Sequence, residues 1–185
     1  MSAAKIAFPG FNSPAAGFEA PLEMLSACHG RVERQCQTLL RLVPHLAEKG
    51  PDQAAREAAQ NVMRYFDNSA PHHHADEEED LFPALLGSAP QTELARLREL
   101  IAALGAQHRE LEQAWRELRR KLEGVCRGTM RELDADQVQR LVDLYRSHIE
   151  REEAELLPLA ARALDAAQLD RVGRAMRLRR GIKEI

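Results

Sequence analysis

The sequence predicts an all-α protein, an antiparallel up-down four-helix bundle closed by a short C-terminal helix. Three observations carry that expectation. Charged residues make up 30% of the chain and aromatics 4%, with Ala, Leu, Glu and Arg dominant, a balance that favours helices, and no alternating β-branched run is present. Apolar residues recur at steps of three and four along four long stretches separated by Gly- and Pro-containing breaks. The second half of the chain also repeats the first: Leu25, His29 and Leu39 match Leu104, His108 and Leu118 at an offset of 79. His73, Glu77, Glu78, Leu81 and Pro83 match His148, Glu152, Glu153, Leu156 and Pro158 at an offset of 75.

Residues 1–20 are rich in Pro, Gly and Ala, with Phe8, Phe11 and Phe18 spaced along them. They read as an irregular arm whose rings dock on the bundle. The bundle itself is expected over residues 21–164. Its first helix begins near Pro21, whose missing N–H has no intrahelical partner in a first turn. The apolar stripe is Leu22, Leu25, Val32, Cys36, Leu39 and Val43, and His29 takes the one missing place in it. Gly50-Pro51 ends this helix. The second helix starts near Asp52 and aligns Val62, Phe66, His73, Glu77 and Leu81, with a kink expected at Pro71, which lacks a backbone donor. The third runs from about Thr92 through Leu97, Ile101, Leu104, Leu111, Trp115, Leu118 and Leu122, and His108 again stands where an apolar residue is due. The fourth starts near Asp134 or Asp136 and carries Val138, Leu141, Tyr145, His148, Glu152 and Leu156. Asp165-x-x-Gln168 has the form of a capping box, so a short helix near 166–179 is expected within the tail 165–185.

Each repeat therefore supplies one lone histidine and one His-x-x-x-Glu. At i and i+4 on a helix, imidazole and carboxylate project from the same face. Neutral imidazole with carboxylate is a ligand set for iron, manganese or zinc. In antiparallel helices with these turn positions, all six residues (His29, His73, Glu77, His108, His148 and Glu152) fall at the same height to within a turn or two. Buried without a cation, the carboxylates would lose hydration at a cost of several kcal/mol each. A dinuclear cation site offsets that.

Neighbouring residues are read against this register. His72 and His74 point about 100° to either side of His73 on a helix, so His73 is the expected ligand of the trio. Glu33 and Glu112 repeat the His-x-x-x-Glu spacing. They read as surface acids, with acceptance of an N–H from a ligand imidazole as the alternative. Tyr145 lies one turn before His148, as core filling or as a partner for a metal-bound group. Cys28 reads as a buried structural thiol. Arg177, Arg179, Arg180 and Lys183 read as a small solvated basic end.

A formal net charge of −3 gives no global basic field, so no nucleic-acid partner is expected. No apolar run approaches the roughly 20 residues that span a bilayer, and the first residues lack a signal peptide's apolar core. Three cysteines, Cys28, Cys36 and Cys126, with no Cys-x-x-Cys spacing read as reduced thiols of a cytoplasmic protein.

The order His29, His73-x-x-x-Glu77, His108, His148-x-x-x-Glu152 resembles the hemerythrin-like (HHE cation-binding) domain over about residues 20–164. The resemblance implies a non-haem di-iron centre, two iron ions bridged by Glu77 and Glu152, with manganese or zinc as other occupants. It implies binding or sensing of oxygen, nitric oxide or iron, with a small diatomic ligand as the partner. The alternative is a di-iron redox enzyme, a peroxidase or an oxygen or nitric oxide reductase. That alternative needs an outside electron donor, since the chain has no Cys₄ site and no flavin or nicotinamide motif. Oxygen-carrying members have a fifth histidine on the third helix. Here the positions four residues either side of His108 are Leu104 and Glu112, so quick oxidation in air is expected in place of a long-lived oxygen adduct. The Glu-x-x-His of ferritin-type bundles does not occur.

Overall fold

The computed structural model describes residues 17–182. The expectations for residues 1–16, including Phe8 and Phe11, and for Lys183 lie outside them. Helix α1 spans Pro21–Lys49, α2 Gln53–Ala75, α3 Phe82–Ser88, α4 Leu94–Cys126, α5 Ala135–Arg151, α6 Leu157–Ala163 and α7 Ala166–Arg179. Among the described residues there is no strand, and no helix is long and apolar enough to cross a membrane. Short turns join α1 to α2 and α4 to α5, so successive long helices run antiparallel. α1 packs on α2 and α5, and α4 packs on the same two, which closes a four-helix bundle.

The predicted start and stop signals act as their chemistry dictates. Pro21 opens α1, and Gly50 ends it at φ 68°, a left-handed conformation that a Cβ would strain. Asp52 caps α2 by accepting from Ala55 N at 2.8 Å. Asp134 caps α5 through Asp136 N and Gln137 N. Both bonds of the Asp165–Gln168 capping box are present, at 2.8 and 2.9 Å. The stripe of α1 differs in detail from expectation. Leu42 and Leu46 are buried, whereas Val43 is half-buried, because a helix of 3.6 residues per turn drifts away from a strict three-four comb.

Sequence periodicity did not anticipate two wide turns. α2 continues as α-helix through Pro71, and the change of geometry comes later, in a π-helical segment Asp76–Leu81 that leads into α3. A second one, Glu152–Leu156, joins α5 to α6. In each the closing bond spans five residues: Phe82 N–H donates to the Glu77 carbonyl and Leu157 N–H to the Glu152 carbonyl. The prolines just beyond supply the reason. Pro83 and Pro158 have no N–H to return, and their rings would crowd the carbonyl four residues back in a regular helix. A wider turn relieves both problems.

Two apolar clusters fill the bundle. One contains Val32, Phe66, Ala70, Leu111, Trp115 and Tyr145. The other contains Leu25, Leu81, Leu85, Leu97, Leu104 and Leu156. Along every long helix the chain passes from one cluster to the other through a histidine: Leu25–His29–Val32, Ala70–His73–Leu81, Leu104–His108–Leu111 and Tyr145–His148–Leu156. The polar residues thus form a layer between two dry cores.

Candidate metal centre

That layer gathers all six residues singled out by the duplication. Glu77 and Glu152 have no solvent exposure, and His29, His73, His108 and His148 retain 1–4%. His29 Nε2 lies 3.2 Å from His73 Nε2 and 2.9 Å from Glu152 Oε2. On the other side, His148 Nε2 lies 3.1 Å from Glu152 Oε1, and His108 Nε2 3.2 Å from Glu77 Oε2. The remaining Glu77 oxygen, Oε1, faces His73 Nε2 at 3.5 Å. Each carboxylate therefore turns one oxygen to the His29/His73 pair and the other to the His108/His148 pair. Neighbouring donors around a cation held at about 2.1 Å are about 3 Å apart, close to the spacings found. Both oxygens of Glu77 and of Glu152, together with Nε2 of His108 and His148, are buried without a hydrogen-bond partner. Groups so placed are costly unless a cation satisfies them. Two four-residue clusters that could hold an ion, His29/His73/Glu77/Glu152 and Glu77/His108/His148/Glu152, share the two carboxylates.

A further pair of acids completes the arrangement, and Glu33 and Glu112 are surface acids as first read, not the imidazole partners of the alternative. Glu33 and Glu112 are exposed, and Glu112 faces Arg116 on the surface. The imidazole Nδ1 partners are instead Glu153 for His29 and Glu78 for His108, both at 2.6 Å. The contacts are reciprocal, since each repeat lends its second glutamate to the lone histidine of the other. His148 Nδ1 faces Gln107 Oε1 at 3.3 Å. An acceptor at Nδ1 fixes the tautomer that turns the Nε2 lone pair inward. One sequence signal for these acids was visible, the doubled Glu-Glu in both copies. Tyr145 belongs to the apolar cluster, stacked on Phe66 with ring centroids 5.2 Å apart. Burial raises its phenol far above the ordinary value, so it fills the core. Cys28 is buried, as expected, with Arg31 Nη2 2.7 Å from its sulfur.

These acids make a direct prediction. Glu153→Ala or Glu78→Ala should weaken metal binding by about 10- to 100-fold, whereas Glu33→Ala and Glu112→Ala should not change it. Chelator competition on the four proteins measures this, and equal losses across all four would refute the assignment.

Carboxylates also dominate the electrostatics. Burial alone would lower the pKa of His29, but the neighbouring Glu152 and Glu153 carboxylates outweigh it and lift the value to about 9. His108 is likewise depressed by burial and lifted to about 10 by Glu152, Glu77 and Glu78. Glu152 is raised by burial, yet the surrounding imidazoles hold it well below the usual carboxylate range. In metal-free protein the charged His29 and His108 therefore contribute stability fully below pH 6.5, which is lost as pH rises through about 9 to 10. A metal must displace those protons. Loading at pH 7 should release protons, and affinity should climb with pH toward that range. Pairing pH-stat titration with affinity measurements tests this, and uptake without proton release would contradict it.

Arg179 and Arg180 also depart from their solvated reading. Asp76, next to Glu77 and fully buried, binds Arg180 at 2.6 Å and Arg179 at 2.5 Å. Arg179 also reaches Glu79 and Asp80, each at 2.7 Å. α7 is thus latched onto the π-helical segment that carries Glu77. Arg177 and Arg180 lie over the Phe18 ring at 5.5 and 5.8 Å.

Comparison with known proteins agrees with this geometry. The family model of the hemerythrin HHE cation-binding domain matches residues 20–160. An uncharacterized protein of Haemophilus influenzae is 36% identical over 169 residues, which cover 91% of this chain and 95% of that protein.

Proposed function

Since the chain belongs to the hemerythrin HHE cation-binding family, we propose that its buried layer holds two iron ions and binds or senses oxygen, nitric oxide or iron. The observation that carries this reading is the pair of carboxylates with all four oxygens buried and without a hydrogen-bond partner, the two oxygens of each carboxylate facing different imidazole pairs. His29 and His73 would hold one ion and His108 and His148 the other, with Glu77 and Glu152 offering an oxygen to each. When bound, a di-iron pair supplies reversible electron exchange with a small diatomic ligand.

The chain's own residues do the rest. Glu153 and Glu78 orient His29 and His108. The two apolar clusters exclude water from both ends of the layer, which strengthens every charge interaction within it. Binding or sensing is favoured over turnover because the sequence carries no Cys₄, flavin or nicotinamide motif that would pass electrons to the layer. The three free cysteines fit a cytoplasmic setting.

The test is anaerobic loading with Fe(II), followed by metal analysis and stopped-flow absorbance on mixing with oxygenated buffer. Two irons per chain and quick conversion to a di-ferric form are expected. A single mononuclear ion in fully loaded protein would overturn the di-iron reading. An oxygenated spectrum that persists for hours and reverses under argon would show an oxygen carrier instead.

A further inference from the structure

The duplication is broken on one face of the bundle. At the offset of 79, Cys36 of α1 matches Trp115 of α4, and at 75, Val142 of α5 matches Asp67 of α2. Between α4 and α2 the Trp115 indole covers that face. It packs on Phe66 with ring centroids 4.8 Å apart, and its N–H donates to Asp67 Oδ1 at 3.0 Å. Between α1 and α5 a thiol stands where the indole would be, and a groove of ≈730 Å³ runs there. That volume falls within the roughly 300–1,000 Å³ of small-molecule sites.

The lining divides by chemistry. Its floor is Val32, Cys36, Val142, Tyr145 and Ile149, all buried. Burial pushes the Cys36 thiol up to about 12, so the floor carries no charge of its own. The Tyr145 ring is part of the core, yet its hydroxyl makes no hydrogen bond among the described residues although the side chain is only 4% exposed. A buried phenol ordinarily has a partner. The rim sets three guanidinium groups, Arg34, Arg41 and Arg146, against one carboxylate, Glu33. Arg146 is held by Asp143 at 3.0 Å. Arg34 and Arg41 have no carboxylate partner among the described residues, and Arg41 reaches only the Thr38 hydroxyl, at 3.3 Å. These two arginines stand seven residues apart, on one side of α1 and about 10 Å along it.

We propose that the groove between α1 and α5 binds an organic carboxylate with an apolar body, its carboxylate accepting from the Tyr145 hydroxyl and from the rim arginines. Charge complementarity selects the anion, since an uncharged floor lies under two unpaired cations. Carboxylate oxygens accept from phenol and guanidinium alike, and the bonds to the charged donors are the stronger. An aliphatic chain covers the apolar floor and gains by leaving water. The groove is built from α1 and α5 alone and needs no metal, so this inference stands apart from the di-iron reading.

The probe is decanoate, with decanol as its uncharged analogue, titrated by calorimetry into metal-free and iron-loaded protein. Wild type is expected to bind one decanoate per chain, at least tenfold more tightly than decanol and equally in both metal states. Tyr145→Phe should weaken decanoate roughly tenfold, the loss of one hydrogen bond to a charged group. The double variant Arg34→Gln/Arg41→Gln should lose the preference over decanol. Cys36→Trp, which gives this face the indole of its counterpart, should block both ligands with helicity retained. If that variant unfolds, the other two decide the matter. No saturable decanoate binding, or equal affinity in wild type and the double arginine variant, would overturn the proposal. Binding confined to iron-loaded protein would place the anion on the metal and overturn it too. A dimer in sedimentation that the arginine variant abolishes would make a second copy of the chain the occupant, against the proposal.

Discussion

Glu152→Ala protein is expected to lose both metal positions at once, whereas His73→Ala should cost one. Glu152 Oε2 lies 2.9 Å from His29 Nε2, and Oε1 lies 3.1 Å from His148 Nε2, so one side chain serves both halves. Removing it leaves each half with two imidazoles and one oxygen of Glu77, too few donors to compete with water. The expected change is a fall from two metal equivalents to none after gel filtration, with helicity retained. Retention of one equivalent by Glu152→Ala would show that the carboxylate serves a single ion. The matching comparison sets His73→Ala against His72→Ala, because His73 alone of that pair faces the buried carboxylates.

The second large effect is on stability and comes from the other side of the π-helical segment. Asp76→Ala removes the buried partner of Arg179 and Arg180, whose side chains are 16% and 18% exposed. Breaking a buried ion pair from one side typically costs about 3–5 kcal/mol, because the remaining charge is left desolvated. For a domain of this size that corresponds to a fall in Tm of roughly 10 °C. Partial exposure of the arginines and the neighbouring Asp80 place the loss nearer the lower end. Glu79→Ala is the control, since that side chain is 66% exposed, and its Tm should hardly move. Thermal unfolding by circular dichroism reads both, and equal Tm values for Asp76→Ala and wild type would dismiss the latch. Asp76 also adjoins Glu77, so its loss should loosen metal binding in step with the fold.

The helices, their order and the six inward residues were legible without coordinates for a shared physical reason. Helical periodicity and capping are local, and a histidine that interrupts an apolar stripe declares which way it points. The 75-residue register did the same for His73 over its neighbours, because only that alignment carries Glu77, Leu81 and Pro83 onto Glu152, Leu156 and Pro158. The partners of the outward-facing nitrogens were not legible. Spacing offered Glu33 and Glu112, each one turn from a histidine on its own helix, but both lie on the exposed side. The partners found, Glu153 for His29 and Glu78 for His108, come from the opposite repeat, 124 and 30 residues away. The same holds for Arg179 and Arg180, which read as a solvated end until α7 folded them onto Asp76 more than a hundred residues back. A residue's rotation about its own helix follows from the period of the chain. Which side chain meets its far nitrogen follows from how the helices cross, and only the packed bundle decides that.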